Sequence, residues 1–136
     1  MTDLELMRLA EETRAYSYTP YSNFAVGAAL LTKSGKVYTG CNIESASYTP
    51  TNCAERTAVF KAVSEGEREF VTIAVIGAPE GEKGKFCAPC GVCRQVLREF
   101  CSLDFRILLG TPEEVKAFTL EELLPASFAP SDLKGV

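Results

Sequence analysis

The chain has 136 residues, of which 46% are hydrophobic and 24% charged, a balance typical of one globular domain with its own core. Its net charge is −4, and it has no basic run to meet phosphates, which argues against a nucleic-acid polymer as partner. The longest apolar runs fall well short of the roughly twenty residues of a membrane helix. We therefore expect a single domain over residues 1–136 and no association with a membrane.

The chain contains six cysteines and no histidine, which restricts its chemistry. The N-terminus has acidic residues and no basic, apolar signal sequence, so we expect a reducing, cytoplasmic location. Cysteine clusters in such a compartment bind metals or react as thiols more often than they form disulfides. Without histidine, Ser-His and Cys-His nucleophilic catalysis are excluded, and acid–base chemistry falls to carboxylates, cysteines or a metal ion.

Hydrophobic periodicity and turn residues predict alternating helices and strands. In chain order, the predicted elements are a helix over Asp3–Tyr16, strands over Phe24–Thr32 and Lys36–Asn42, a helix over Cys53–Glu65 capped by Asn52, a strand over Phe70–Gly77, a helix from Pro89, a strand over Phe105–Leu109, a short strand over Lys116–Phe118 and a helical turn from Thr119. This order predicts an α/β fold, a three-layer α/β/α sandwich with a mixed five-stranded sheet.

The segment FCAPCGVCRQ (Phe86–Gln95) places Cys87, Cys90 and Cys93 at intervals of three residues. Cys90 and Cys93 share one face of the predicted helix, and Cys-x-x-Cys is a common spacing of zinc thiolates. A redox pair, or two small packed residues, are the alternatives that this pair alone leaves open. A zinc site needs further ligands, which histidine cannot supply here.

Cys53 is the best candidate for the third ligand because it is predicted at the start of another helix. Helix N-termini carry partial positive charge and unpaired N–H groups, which lower a thiol's pKa and favour the thiolate. Three ligands leave one coordination position open, as in catalytic zinc sites, whereas Cys87 as a fourth ligand gives a structural knuckle. Simple packing is the other interpretation of Cys53, and Cys41 and Cys101 are predicted to be core or surface thiols.

Glu55 and Arg56 follow the candidate ligand Cys53 directly. Glu55 lies three residues after Asn52, so it is either a capping-box partner or a carboxylate that moves protons beside the metal. Arg56 lies one turn from Cys53, so it is either a solvated surface charge or a donor to the thiolates. As a donor it would offset their negative charge and support the metal from outside its ligand shell.

The motifs NCAER (Asn52–Arg56) and PCGVCRQ (Pro89–Gln95) resemble those of zinc nucleoside deaminases. The chain is most similar to the small homotetrameric cytidine deaminases, which it also resembles over Tyr18–Glu44 and in LLPASF (Leu123–Phe128). The resemblance implies a cytidine deaminase-like fold and one Zn²⁺ per chain. It further implies hydrolytic deamination of cytidine and 2′-deoxycytidine to uridine and 2′-deoxyuridine with release of ammonia, a reaction of pyrimidine salvage.

The resemblance also implies roles for single residues, with Cys53, Cys90 and Cys93 as zinc ligands and Glu55 as proton shuttle. Residues that it assigns to the substrate are Phe24 at the pyrimidine, Asn42 and Glu44 at the ribose, the Ala54 backbone at the base, and Tyr48 and Phe128 as contacts from a neighbouring subunit. The active sites of the homotetramer are then shared between chains. If the zinc motif were absent from the sequence, we would interpret Phe24 as a core residue and Asn42 and Glu44 as polar residues at a strand end.

The sequence leaves three alternatives to cytidine deamination, and each is weighed by a different feature. A deaminase of a modified cytosine nucleoside, such as an antibiotic, would have the same zinc site, although Phe24, Asn42 and Glu44 favour an ordinary nucleoside. The acidic composition disfavours a deaminase of polynucleotides. A non-catalytic, zinc-stabilised binding module is disfavoured by Glu55 beside a three-thiolate site.

Overall fold

A mixed five-stranded sheet lies between two helical layers in the computed structural model, which describes residues 1–134. The helices are α1 Asp3–Thr13, α2 Ala54–Ser64, α3 Gly91–Phe100, α4 Leu120–Leu123 and α5 Pro130–Lys134, and a 3-10 turn covers Arg14–Tyr16. The strands are β1 Phe24–Thr32, β2 Val37–Cys41, β3 Phe70–Pro79, β4 Arg106–Thr111 and β5 Glu114–Thr119. Their order is β2-β1-β3-β4-β5, with β3 and β4 parallel and the other neighbours antiparallel. The predicted three-layer fold is confirmed.

The central strand β3 is buried on both faces of the sheet. Its residues alternate between two cores: Ile73 and Val75 pack with residues of α2 and α3, whereas Ala74 and Ile76 pack with residues of α1. Successive side chains of a strand point to opposite faces, so a strand covered on both sides needs a continuous apolar run. This double coverage explains the apolar run from Ile73 to Ala78.

Helix α2 lies unusually close to the sheet because small residues line its inner face. Ala54, Ala58 and Ala62 are fully buried. A Cβ atom added to Gly40 of β2 would lie 2.4 Å from the Ala54 carbonyl oxygen and 2.5 Å from the Ala58 nitrogen, which is sterically impossible. Because Gly40 has no side chain, the first turns of α2 can pack directly against the backbone of β2.

Both helix starts beside the cysteines differ from the prediction by one or two residues. The N-cap of α2 is Cys53 and not Asn52, whose side-chain amide donates instead to Thr57 Oγ1 at 3.1 Å. The N-cap of α3 is Cys90, so Pro89 precedes the helix, and the Pro89 carbonyl accepts a hydrogen bond from Arg94 Nε at 2.7 Å. In both cases the cysteine backbone is extended, so the helical conformation begins only after it.

The C-terminal elements are longer than their sequence pattern indicates. Strand β5 covers six residues where Lys116–Phe118 was predicted, and most of its side chains are exposed or half-buried. The Pro- and Ser-containing tail forms the short helix α5. Within residues 1–134, no helix has both the length and the apolar character required to cross a membrane.

Arg14, at the end of α1, has a buried guanidinium that holds several segments together. Its Nε donates to the Ala25 carbonyl at 2.8 Å, Nη2 to the Ala78 carbonyl at 3.0 Å, and Nη1 to Glu11 Oε1 at 2.9 Å and to the Glu82 carbonyl at 3.1 Å. These bonds join α1 to the adjacent ends of β1 and β3 and to the loop after β3. That loop leads to Cys87 and the cysteines of α3.

Replacing Arg14 with Met is expected to lower the free energy of unfolding by about 3–5 kcal/mol, because it leaves Glu11 and buried carbonyl groups without their donor. Urea denaturation of the zinc-loaded protein measures this loss. The control is Arg8→Met on the same helix, where the side chain is exposed and a change within about 0.5 kcal/mol is expected. A loss below about 1 kcal/mol in Arg14→Met would contradict the structural role of Arg14.

Candidate active site

Three cysteine sulfurs from two helix starts lie close enough to hold one metal ion. Cys53 Sγ is 3.8 Å from Cys90 Sγ, Cys90 Sγ is 3.5 Å from Cys93 Sγ, and all three sulfurs lie within 4.8 Å of one another. In a tetrahedral zinc site with bonds of about 2.3 Å, two sulfurs are about 3.8 Å apart. Both the spacing and the thiolate donors therefore fit Zn²⁺.

The electrostatic environment favours thiolate formation in this cluster. Cys53 and Cys90 are the N-caps of α2 and α3, so the positive ends of two helix dipoles face the sulfurs. The adjoining Cys93 thiol and the Arg56 guanidinium lower the pKa of Cys53 to about 5. The pKa of Cys93 is raised because its thiol is paired with Cys53 and is buried.

Glu55, in the first turn of α2, is only 4% exposed. Burial raises the pKa of its carboxyl to about 7, and the charge of nearby Cys53 acts in the same direction. Such a buried carboxyl is not the solvent-facing partner of a capping box. A carboxyl that titrates near neutrality is suited to both accept and donate a proton.

Arg56 directs its guanidinium at the sulfur cluster. Arg56 Nη2 donates to Cys53 Sγ at 3.2 Å, across one turn of α2. The predicted contact between the guanidinium and the Cys53 sulfur is therefore present, and the reading of Arg56 as a freely solvated charge is wrong. The contact places a permanent positive charge beside a group of thiolates.

Glu55 and two of the sulfurs line one small cavity of about 170 Å³. Its lining residues come from β1, from the end of β2, from the segment leading into α2 and from the segment leading into α3: Val26, Asn42, Thr51, Asn52, Cys53, Ala54, Glu55, Cys87, Ala88 and Cys90. A larger and more open cavity of about 400 Å³ includes Glu44 and Tyr48 and shares Thr51 with the smaller one. The two cavities together form a site with a smaller inner part and a larger, more open outer part.

Comparison with known proteins agrees with this geometry. The family model of the cytidine and deoxycytidylate deaminase zinc-binding region matches residues 1–108. A cytidine deaminase of Halalkalibacterium halodurans is 48% identical, over 94% of this chain and 95% of its own length. The crystal structure of a Burkholderia pseudomallei cytidine deaminase superposes with a TM-score of 0.85 at 45% identity, covering 94% of this chain and 100% of that one.

The chain belongs to the zinc-dependent cytidine deaminase family. It is therefore a deaminase, a kind of hydrolase, and zinc is its cofactor. Another relative, a blasticidin-S deaminase of Bacillus cereus, is 32% identical over 93% of this chain and 91% of its own length. The relatives of this chain thus include a deaminase that is named for a different substrate.

In this deaminase, Asn42 and Glu44 are both held by hydrogen bonds to the backbone near the cavity. Asn42 accepts from the Val26 N–H at 2.9 Å and donates to the Phe24 carbonyl at 2.8 Å, so its amide keeps one free N–H. Glu44 accepts from the backbone N–H groups of Tyr21 and Ser22 at 3.0 and 3.1 Å and from the Ser22 hydroxyl. The Ser22 hydroxyl and these N–H groups lower the pKa of Glu44, which keeps it an anion.

The three predicted aromatic contacts lie at different places in the deaminase. Phe24 is 38% exposed and lines neither cavity; its ring edge lies over Gly77, as do the side chains of the inner-cavity residues Val26 and Cys87. Tyr48 lines the outer cavity, has a left-handed backbone with φ 62°, and makes an edge-to-face contact with Tyr21 at a centroid distance of 6.3 Å. Phe128 is exposed and lines neither cavity. Its backbone carbonyl accepts a hydrogen bond from Gln95 Nε2 at 2.8 Å.

Cys87 is a cavity residue that sequence reasoning left without a role. It is not part of the three-sulfur cluster, yet it lines the same inner cavity as Glu55. Cys41 and Cys101, for which the sequence left a core or a surface position open, are both buried. No local pattern distinguishes Cys87 from them, because its position depends on the pairing of Lys85 with β3 and of β3 with β1.

Proposed function

We propose that this site deaminates cytidine and 2′-deoxycytidine by hydrolysis, forming uridine and 2′-deoxyuridine and releasing ammonia. The observation that carries the proposal is the buried Glu55 carboxyl, with a pKa raised to about 7, in the same small cavity as an open three-sulfur cluster. The family and the names of its relatives support the substrate class. A non-catalytic zinc module would have no need for a neutral-pH acid–base group beside the metal.

Cys53, Cys90 and Cys93 would hold the Zn²⁺, and three protein ligands leave one position open. When bound, zinc supplies Lewis-acid activation of the water that attacks the base. Glu55 accepts a proton from this water and delivers it to the ring nitrogen N3. The water oxygen bonds to C4, and Glu55 carries its remaining proton to the amino group there. The C4–N bond then breaks, ammonia leaves, and C4 keeps the oxygen as the carbonyl of the product.

The remaining side chains orient the nucleoside. Asn42 in the inner cavity offers its free N–H and Glu44 in the outer cavity its carboxylate, two groups suited to the ribose hydroxyls. The backbone N–H of Ala54 lies in the first turn of α2, where N–H groups lack helical partners, and so suits the carbonyl of the base. Phe24, whose ring edge lies over Gly77 beside Val26 and Cys87, contacts the pyrimidine. The whole chain, residues 1–136, acts as one catalytic domain.

The proposal is tested by the loss of absorbance when the zinc-loaded protein is given cytidine, 2′-deoxycytidine, free cytosine or blasticidin S in parallel. We expect turnover of the first two and little turnover of cytosine, which lacks the ribose that Asn42 and Glu44 contact. The blasticidin-S deaminase among the relatives makes the antibiotic the second candidate substrate. Turnover of blasticidin S without turnover of cytidine would replace the proposed substrate and keep the zinc chemistry.

Replacing Arg56 with Gln is expected to preserve zinc binding and to move the acidic limb of the kcat/KM profile to higher pH. The lost positive charge no longer offsets the thiolates, so the group that must lose its proton becomes harder to ionise. The control is Arg68→Gln, where the side chain is exposed and no shift is expected. An unchanged acidic limb in Arg56→Gln would show that its contact with Cys53 does not tune the reaction.

We further infer that the chain acts as a homotetramer with shared active sites, in the cytoplasm. Phe60 on α2, Val92 on α3 and Phe128 are exposed apolar residues. A groove of about 470 Å³ on the outer face of α2 and α3 includes Phe60 and Val92. Contact with further copies would cover these residues and bring Phe128 and Tyr48 to neighbouring sites. Six free cysteines support a reducing compartment.

Dilution is expected to lower the molecular mass and the specific activity together, because each site needs residues from a neighbouring chain. Mass photometry and the cytidine assay follow both quantities across the same concentrations. In Phe128→Ala we expect a higher KM while the tetramer persists, whereas Leu133→Ala, at an 82% exposed apolar residue of α5, serves as control. A fully active monomer would refute the shared site.

A further inference from the structure

Cys87 lies in the wall of the inner cavity, and its position is fixed by the sheet. Gly77 of β3 and Lys85 exchange two backbone hydrogen bonds, at 3.2 and 3.0 Å, in an isolated bridge two residues before Cys87. The bridge attaches the loop after β3 to its own strand. Because the backbone is tied at Lys85 and enters α3 after Cys90, the Cys87 side chain has a defined position beside the cavity.

Three side chains converge on the bare face of Gly77. A Cβ atom built on Gly77 would lie 3.0 Å from Cys87 Sγ, 3.0 Å from Phe24 Cε1 and 3.0 Å from Val26 Cγ2. Val26 is the residue of β1 that pairs with Gly77, and both Val26 and Cys87 line the cavity. The absence of a side chain at Gly77 thus leaves room for a sulfur, a ring edge and a methyl group over the strand, and Cys87 and Val26 form an apolar wall of the cavity.

The Cys87 thiol remains uncharged at neutral pH. Burial, with the neighbouring Glu55 carboxyl, raises its pKa to about 11. The thiol is half-buried and stands apart from the three-sulfur cluster. It therefore behaves as a small apolar group facing the substrate, and not as a nucleophile.

The chemistry of cytosine decides which of its edges faces this wall, if the site binds a cytosine nucleoside as proposed above. Glu55 serves N3 and the amino group, and the ribose on N1 extends towards Glu44 in the outer cavity. The carbonyl edge of the ring requires hydrogen-bond donors, which the first turn of α2 provides at Ala54. The remaining edge, C5–C6, is apolar and matches the wall of Cys87 and Val26.

We propose that Cys87 is a specificity-determining residue whose size limits the substituent at C5 of the cytosine ring. The inner cavity, at about 170 Å³, is small, so the sulfur occupies space that a C5 substituent would need. A pocket of fixed shape discriminates a single methyl group by about 10–200-fold. The inference rests on the proposed function and adds the residue that selects among cytosine nucleosides.

The test compares kcat/KM for cytidine and 5-methylcytidine in the zinc-loaded wild type and in Cys87→Ala, Cys87→Leu and Cys101→Ala. Relative to wild type, the ratio of 5-methylcytidine to cytidine should rise at least about tenfold in Cys87→Ala and fall in Cys87→Leu. Cys101→Ala removes a buried thiol from the end of α3 and should leave the ratio unchanged. Calorimetry measures the affinities for uridine and 5-methyluridine without turnover. The ratio of these affinities, 5-methyluridine to uridine, should likewise rise in Cys87→Ala and fall in Cys87→Leu.

A ratio in Cys87→Ala within about twofold of the wild-type value, with full zinc content, would overturn the inference. A wild type that turns over 5-methylcytidine as readily as cytidine would overturn it too, because no size limit would exist. Failure of the wild type to deaminate cytidine is a separate result that refutes the proposed function and, with it, the role of Cys87.

Discussion

Glu55→Gln is expected to lower kcat by about 10²–10⁴-fold or more, because one carboxyl serves several proton transfers that an amide cannot perform. Gln has nearly the same shape, so zinc content and the affinity for uridine should change little. The measurements are the rate with cytidine, the zinc content and the calorimetric binding of uridine on the same preparations. Asp132→Asn on α5, remote in sequence from the site, is the matched control for loss of a carboxylate.

The stability of the variant separates catalysis from folding. Because the folded state raises the pKa of Glu55 from 4.5 to about 7, ionisation of this carboxyl destabilises the metal-free fold. Its stabilising contribution is complete below pH 4.5 and is lost as the pH rises to about 7. Metal-free Glu55→Gln should therefore be at least as stable as metal-free wild type at pH 8. A folded, zinc-loaded variant with near wild-type turnover would reduce Glu55 to a structural residue.

Cys90→Ser and Cys93→Ser are each expected to lose nearly all bound zinc, whereas Cys87→Ser should keep about one zinc per chain. A serine hydroxyl is a poor replacement for thiolate, and only two sulfurs of the cluster would remain. Elemental analysis after dialysis against a weak chelator measures the effect, and Cys41→Ser is a further control at a buried thiol outside the cluster.

The ligand assignment depends on the contrast between Cys87 and its neighbours in the same motif. Equal loss of zinc in Cys87→Ser and Cys90→Ser would make Cys87 a fourth ligand and the site a closed, structural one. Full zinc content in Cys93→Ser would remove that residue from the ligand set. Either result would contradict an open site formed by Cys53, Cys90 and Cys93.

Much of the fold follows from local patterns in the sequence. Strand β1 was predicted with its observed bounds, and the capping box of α1 at Thr2 and Glu5 is present. Strand β5 was underestimated because its residues are mostly exposed or half-buried and leave no buried alternation to detect. The start of α3 was misplaced because proline suits a first helical turn, whereas here the Cys90 backbone stays extended.

The site was predictable where its residues are close in sequence. The i,i+3 spacing placed Arg56 beside Cys53 and Cys90 beside Cys93, and these contacts are present. The wall formed by Cys87 could not be predicted, because it arises from the pairing of Lys85 with Gly77 and of Gly77 with Val26. These contacts join separate segments, and no local spacing encodes them.

The most direct test of this account is reconstitution of the metal-free protein with Zn²⁺ while the rate of cytidine deamination is measured. We expect no turnover without metal, a linear rise with added zinc, and a break at about one equivalent per chain. Cytidine deamination that is independent of zinc, or a fully zinc-loaded protein that leaves cytidine unchanged, would contradict it.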